Sequence, residues 1–530
     1  MNLERPSSIT PGLAWRILGL SIISVLCSVC YPQCMYANDL QYLAYRIAIT
    51  VHDVWFGPLS KFPGPKWWAA SNLPLICMIW SGQDTETKHR LHSQYGPVVR
   101  VSPTEISYID AAPVSDEGLS GTNAWKEIYG HRLSGKRSFA KDRRLYAIPV
   151  NGTTSILSSD DANHARQRRV LSHAFSDKAL KEEEPLFKRW ASLLVEKLEA
   201  LSLTDAPVDL VAYFNYTTFD IMADLTFSES LHMLEGSEYS PWVATIFASI
   251  KSMTRLRAVR LIPGMATLVN VLLSNAIRKK QVSHFKYSAD RVDRRLARTP
   301  SNPDLWSFVL KKAGQEDGMS LSEMHSNSAM FMIAGTETTA TLLSGLTYHL
   351  LRSSTATDRL TRELRSAFVC DADITIEALQ QLPYLSACIE EGMRLYPPIP
   401  TGLPRQVPQG GARICGEWIP EDVTVSVSQW ATYHSESNFY DAASFIPERW
   451  LGEDARFEHD NHAAFQPFSV GPRNCIGRNL AYHECRLLLT EVFWNFDMKL
   501  VDESRNWADQ KVFSFWDKSP LWVKLRRAVR

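Results

Sequence analysis

One cysteine, Cys475, stands in a loop built to let something approach closely. The stretch Phe468–Leu480 reads FSVGPRNCIGRNL: Gly471 and Gly477 flank the cysteine, Arg473 precedes it by two residues, and Pro472 stiffens the turn. A thiolate is a soft ligand for haem iron, copper, zinc or an iron–sulfur cluster. Zinc and clusters usually draw several Cys or His at close spacing. Here only Cys485 follows, ten residues on, in a run that reads as a helix. A single thiolate suits haem, because the porphyrin supplies the other four nitrogens. On that reading Gly471 and Gly477 admit a flat ring, Arg473 pairs with a propionate, and backbone N–H groups after Cys475 tune the sulfur. The competing chemistry is a nucleophilic cysteine, which needs a histidine base whose place in space the sequence does not give.

A second chemical stretch is Ala334–Thr339, AGTETT, inside a run expected to form one helix over Leu321–Leu351. Ser320 and Glu323 make a capping-box pattern at its start. A helix of about thirty residues spans roughly 45 Å, enough to cross a domain. Its middle is poor helix material: an internal glycine is worse than alanine by about 1 kcal/mol. Threonine hydroxyls also bond back to the previous turn. Two readings stay open here. Either this is a tolerated kink with Glu337 on a solvated face, or a groove in a buried helix where hydroxyl and carboxylate line a proton path.

Holding these stretches in place takes a large body. The chain has 530 residues, 57 basic and 57 acidic, so its net charge is zero and nothing points to nucleic acid. No Gly/Ser linker or repeat divides it. Nine cysteines, an odd count with none between Cys77 and Cys370, exclude a disulfide framework. Cys27 and Cys30 have C-x-x-C spacing but no partner pair. Helical periodicity is read at 178–201, 210–227, 242–254, 265–280, 358–368 and 385–395. Strands are expected in PVVRVSPTEISYI, at Thr424–Ser428 and in the C-terminal LWVKL. Residues 17–38 are uncharged and about long enough to cross a bilayer. We therefore expect a tail over 1–16, a retained anchor rather than a cleaved signal over 17–38, an interfacial segment and Pro-rich hinge over 39–66, and a catalytic domain over 67–530.

FSVGPRNCIG resembles the haem loop of the cytochrome P450 family, Phe-x-x-Gly-x-Arg-x-Cys-x-Gly, at every fixed position. AGTETT is similar to the family's oxygen-activating helix. EEGMR carries its Glu-x-x-Arg pattern as Glu391 and Arg394, and FIPERW its partner arginine, Arg449, with Trp450 where many members have Phe. The resemblance spans roughly residues 60–525. It implies a mainly α fold with a small β region, haem b lying between the long central helix and the Cys475 loop. It also implies Cys475 as iron ligand, with Phe468, Arg473, Gly477, His164, Arg168 and Arg405 as further haem contacts. Thr338 and Glu337 would deliver protons, and Glu391, Arg394 and Arg449 would form a buried structural cluster.

The implied activity is monooxygenation of a hydrophobic small molecule, with NADPH–cytochrome P450 reductase, and cytochrome b5 as a second donor. The setting implied is the endoplasmic reticulum membrane, with lipid as a partner and the catalytic domain facing the cytosol. HARQRRVLSHAFSDKAL and NYTTFDIMADLTFSESLHML resemble fungal members that tailor secondary metabolites. The pocket is expected from Asp110–Arg143, Leu231–Val271, the central helix, Pro398–Gly402 and KVFSFW, with Phe331, Ile399, Phe513 and Phe515 as apolar lining. A reductase-independent haem-thiolate isomerase or dehydratase, and a non-catalytic haem-binding protein, remain as alternatives. In a cytosolic body the sequons at Asn151 and Asn215 would stay unused.

Overall fold

The computed structural model describes residues 32–529 apart from 110–122, 133–137, 143–145, 147–149, 263–264, 266–273, 300–303, 313 and 316. Contacts divide the chain into two units, Met1–Phe62 and Pro63–Arg530, so the second begins at Pro63 where we expected Trp67. In the first, helix α1 (Pro32–Trp55) runs across the expected boundary at residue 38. It leaves Leu40, Leu43, Ile47 and Trp55 exposed. Among the described residues no helix is long and apolar enough to cross a membrane. The expected anchor lies outside them except for residues 32–38.

The second unit is mostly helical. The helices that position the site are α2 (Asp161–Leu171), α3 (Leu210–Phe227), α4 (Pro241–Val259), α5 (Leu321–Ala334), α6 (Glu337–Arg352), α7 (Pro383–Leu395) and α8 (Arg478–Asn495). One continuous apolar core joins α3, α5, α6, α7 and α8. A five-stranded sheet has the order β1 (Val98–Ser102), β2 (Glu105–Tyr108), β5 (Thr424–Val427), β4 (Arg405–Gln406), β3 (Ala140–Lys141). β2 and β5 are parallel and the other pairs antiparallel. Its register sets Lys141 opposite Arg405, so two cations from distant parts of the chain share one sheet corner. A smaller sheet joins Val208–Asp209, Trp522–Arg527 and Phe496–Leu500. Near the C-terminus, Val512–Phe513 pairs with Phe515–Trp516 across Ser514, whose φ of 69° makes the turn.

The expected single helix over 321–351 is two. The capping box forms as read, Ser320 and Glu323 each accepting from the other's backbone N–H. The break at Gly335–Thr336 has a local cause. Thr336 Oγ1 donates to Met332 O at 2.6 Å, Thr338 Oγ1 to Ala334 O at 2.7 Å and Thr339 Oγ1 to Gly335 O at 3.2 Å. Three back-bonds of this kind within four residues compete with the helical ladder. Gly335 is also needed for packing, since a Cβ there would lie 2.6 Å from Met222 Sδ on α3.

Two other boundaries moved. The 178–201 helix splits at Glu183 because Pro185 starts a new helix, Glu184–Ser202. The helix expected over 265–280 is described from Ser274 and runs to Leu296.

Candidate active site

Cys475 is fixed by its own loop. Its N–H donates to Phe468 O at 2.9 Å, and Asn474 N–H donates to Gly471 O at 3.2 Å, which folds the loop back on itself. Gly471 takes φ of 78°, and a Cβ on it would come 2.1 Å from Tyr129 O, so no other residue fits. The Phe468 ring packs on Tyr482 at 5.2 Å and steadies the loop from the α8 side. Cys475 is free, and its side is open to solvent-sized contact. Protein nonetheless crowds the sulfur on its other faces, and that burial pushes the thiol up. The Gly477 N–H, Arg168 and Arg478 act the other way. A thiol held up by burial and ringed by donors becomes a thiolate once a cation sits on it.

Above this loop lies a cavity of about 480 Å³ lined by Tyr129, His164, Arg168, Arg405, Pro472 and Arg473, among others. Its electrostatics are one-sided. Arg473 donates to Asp161 at 2.8 Å and to Ser159 O at 2.8 Å, yet its Nη1 is buried without a partner. Arg405, 4% exposed, also has a buried Nη1 without a partner. Burial, then Arg473, holds Arg405 below its ordinary range, the nearby tyrosines opposing. Lys141 is driven far down by burial and by Arg405 and Arg473. His164 falls to about 4, from burial first and then from Arg473, Arg168 and Lys141.

Buried guanidinium donors without acceptors are costly unless an anion meets them. Two carboxylates arriving at this cavity would supply that anion, so the residues present fit the propionate edge of haem. Arg168, expected as a haem contact, lines the same cavity and is also tied to the loop. It clamps Asn474, through O at 2.5 Å and Oδ1 at 2.6 Å, and so braces the residue beside Cys475. Lys141 went unnoticed in the sequence; a two-residue strand leaves no periodic signal.

Glu337 and Thr338 follow the break between α5 and α6 and face different partners. Thr338 Oγ1 donates to Ala334 O, and its side chain is partly exposed. Glu337 is 3% exposed, which removes the solvated-face reading. It is ion-paired with Lys518, from the segment after the C-terminal hairpin. No hydrogen bond joins Glu337 to Thr338.

The Glu391–Arg394–Arg449 cluster is complete and larger than expected. Glu391 bonds Arg394 at 2.8 and 2.9 Å and Arg449 at 3.2 Å, all three at zero side-chain exposure. Asp460 adds a second carboxylate on Arg449 Nη1 at 2.5 Å. Burial alone would raise Glu391; Arg394 and then Arg449 hold it below the usual carboxylate range. Trp450 donates its Nε1–H to Glu391 Oε2 at 2.9 Å, a bond that Phe could not make.

Of the residues expected to line a substrate pocket, Phe513 and Phe515 border a cavity of about 320 Å³ beside Glu337. Phe331 does not serve that way: it packs in the core against Phe175 at 5.5 Å and Trp306 at 6.2 Å. The Asp110–Arg143 and Leu231–Val271 segments lie partly outside the described residues. Asn215 is 2% exposed and donates to Tyr239 OH, which closes that sequon to glycosylation; Asn151 is exposed.

A free cysteine in a glycine-bounded loop, whose Pro472 and Arg473 line a cavity rich in cations, is what a haem-thiolate protein of mainly α fold needs. Residues 62–519 match the sequence profile of cytochrome P450. Cytochrome P450 monooxygenase efuB of Hormonema carpetanum is 62% identical over 92% of this chain and 95% of its own length. Cytochrome P450 monooxygenase lcsI of Purpureocillium lilacinum is 41% identical over 94% of each chain. Cytochrome P450 monooxygenase atr2 of Stereocaulon alpinum is 40% identical over 92% of this chain and 94% of its own. The chain belongs to the cytochrome P450 family and is a haem-thiolate monooxygenase. Members use a redox partner and act on hydrophobic substrates.

Proposed function

We propose that this monooxygenase hydroxylates or epoxidises a hydrophobic intermediate of fungal secondary metabolism. One atom of dioxygen would enter a C–H or C=C bond and the other would leave as water. NADPH, through a separate NADPH–cytochrome P450 reductase, would supply the two electrons, and two protons would come from solvent. The observation that carries this reading is the Cys475 thiol, flanked by Gly477 N–H and Arg168, in a loop that borders a cavity where Arg405 and Arg473 each keep a buried guanidinium nitrogen without an acceptor.

Haem b, when bound, supplies the iron and the oxygen-activating redox chemistry. Cys475 would hold the iron, and Gly477 N–H, Arg168 and Arg478 would stabilise negative charge on the sulfur. Arg405, Arg473 and His164 would hold the propionates, with Phe468 keeping the loop in shape. Thr338 would present a proton to the reacting oxygen, and Glu337 would resupply it. Phe513 and Phe515 would give the substrate an apolar wall to pack against.

The exposed Leu40, Leu43, Ile47 and Trp55 of α1 support contact with lipid. With an anchor over 17–38 and the catalytic body over 67–530, the setting would be the endoplasmic reticulum membrane, cytosolic face. The reductase, with cytochrome b5 as an alternative donor, would dock near exposed Arg478.

The test is turnover of haem-loaded protein with a fungal reductase. Consumption of NADPH and oxygen is expected, with Thr338→Ala shifting electrons from product or water to hydrogen peroxide. Haem-loaded protein that consumes no NADPH with reductase would instead favour a reductase-independent isomerase or dehydratase.

A further inference from the structure

Glu337 has a partner that lies 181 residues away in sequence. Lys518 Nζ donates to Glu337 Oε1 and to Thr341 Oγ1, each at 2.5 Å, and the two charged side chains are 5% and 4% exposed. The other carboxylate oxygen, Glu337 Oε2, is buried with no protein partner. Across from it on α3, Asn215 spends its Nδ2 on Tyr239 OH at 3.0 Å, while its Oδ1 is also buried without a partner.

Both residues line the 320 Å³ cavity, whose walls are otherwise largely aromatic: Phe247, Phe513, Phe515 and Trp516. At its rim an exposed pair, Lys251–Asp517 at 2.7 Å, meets solvent. Buried acceptors are satisfied in folded proteins, by water where no side chain reaches. A cavity of this size has room for several waters. It runs from an ionic rim to a carboxylate with one oxygen tied and one free.

We propose that Lys518 is a positioning residue for Glu337, and that this cavity carries the water chain that brings protons to Glu337 Oε2 from the Lys251–Asp517 rim. This rests on the reading of Glu337 as the proton source for oxygen activation. The tie through Oε1 keeps the carboxylate facing the water side, so that Oε2 can accept a proton there. Thr341 fixes the ammonium from below. Asp517 and Lys518 are adjacent, so the segment after the hairpin sets both ends of the route. Without Lys518 a buried carboxylate has no counter-charge and takes a proton to become neutral. It then no longer faces the water chain as an acceptor.

The experiment uses substrate-free, reductase-driven turnover of the haem-loaded chain, counting hydrogen peroxide against NADPH and oxygen consumed. Lys518→Met is expected to raise the peroxide share severalfold, with Lys518→Arg restoring it. Asn215→Leu, which leaves the ion pair intact but fills the water route, should raise it too and enlarge the solvent isotope effect. Infrared pH-difference spectra give a readout without turnover. Lys518→Met should gain a protonated-carboxyl band near neutral pH that a further Glu337→Gln change removes. Should the Lys518 variant fold poorly, Asn215→Leu and the doubly changed protein carry the test, since neither leaves an unpaired buried charge. Wild-type peroxide shares in both Lys518→Met and Asn215→Leu, alongside a raised share in Thr338→Ala, would overturn the proposal and leave the monooxygenase reading standing. An unchanged share in Thr338→Ala as well would take the proton-supply reading down with it.

Discussion

Around Glu391, two arginines face two carboxylates and every guanidinium nitrogen finds an acceptor. Arg394 reaches Tyr433 O, Ala442 O and Ser444 O, and Arg449 reaches Tyr440 O and Asp441 O, besides their carboxylates. Around Arg405 the arithmetic differs. Arg168, Arg405, Arg473, Lys141 and His164 have Asp161 as the carboxylate that Arg473 bonds, and two guanidinium nitrogens are left over. The first group is fully buried and the second only partly, with Arg405 and His164 inside and Asp161 exposed, and both are drawn from segments far apart in the chain. The first is closed, and what it does is hold the α7 helix to the loop that follows residue 440. The second is open, and its unmet donors describe the ligand it awaits. Satisfaction, not charge, separates scaffold from site.

The largest effect should come from breaking the closed cluster. Glu391→Ala leaves buried Arg394 without a carboxylate and Arg449 with Asp460 alone, and denaturant unfolding should show a loss of about 3–5 kcal/mol with little haem incorporated. The open cluster should respond in the opposite manner. Arg405→Leu should leave unfolding of haem-free protein unchanged or slightly improved. Haem transfer to apomyoglobin should become roughly ten- to hundredfold more favourable, as befits about 1.5–3 kcal/mol for a lost charge-assisted bond. Equal loss of stability in both variants would erase the distinction.

Trp450→Phe is subtler. Glu391 Oε2 keeps Arg394 Nε, so about 1 kcal/mol is expected from unfolding of the haem-free protein. A pH dependence also marks the open cluster. His164 binds protons only near pH 4 when folded, against about 6.5 when unfolded. The unfolded chain therefore takes up the extra proton as pH falls from about 6.5 towards 4, and stability drops across that window but not above it. His164→Gln should flatten this slope in haem-free protein, as read by unfolding at stepped pH. Haem loading should flatten it too, because propionates would offset the neighbouring cations.

Much of this was legible where chemistry is local. The Cys475 loop carries its glycines, proline and arginine within ten residues, and Glu391 and Arg394 stand one helical turn apart. The strands at 98–108 and 424–427 and the Leu210–Phe227 helix came out as read, since their patterns are short-range. What stayed hidden depends on contacts between distant segments. Asp460 meets Arg449 through a turn with no periodicity, and Lys141 meets Arg405 through a register of two residues. Lys518 reads as an ordinary surface lysine in DKSP, and only the C-terminal fold brings it onto Glu337. The broken central helix was foreshadowed by its glycine and threonines, but the close approach of Met222, which leaves no room for a Cβ at Gly335, was not. Phe331 was misplaced for the opposite reason: an aromatic on the central helix reads the same whether it faces a cavity or the core.

The most direct measurement is the carbon monoxide difference spectrum of dithionite-reduced protein, with Cys475→Ala beside it. The account predicts a strongly red-shifted Soret band that disappears in the variant, as a thiolate on haem iron requires. A band of the histidine-ligated kind in folded, haem-loaded wild-type protein would contradict it, and the roles given to Gly477, Arg168 and Arg478 around the sulfur would fall together.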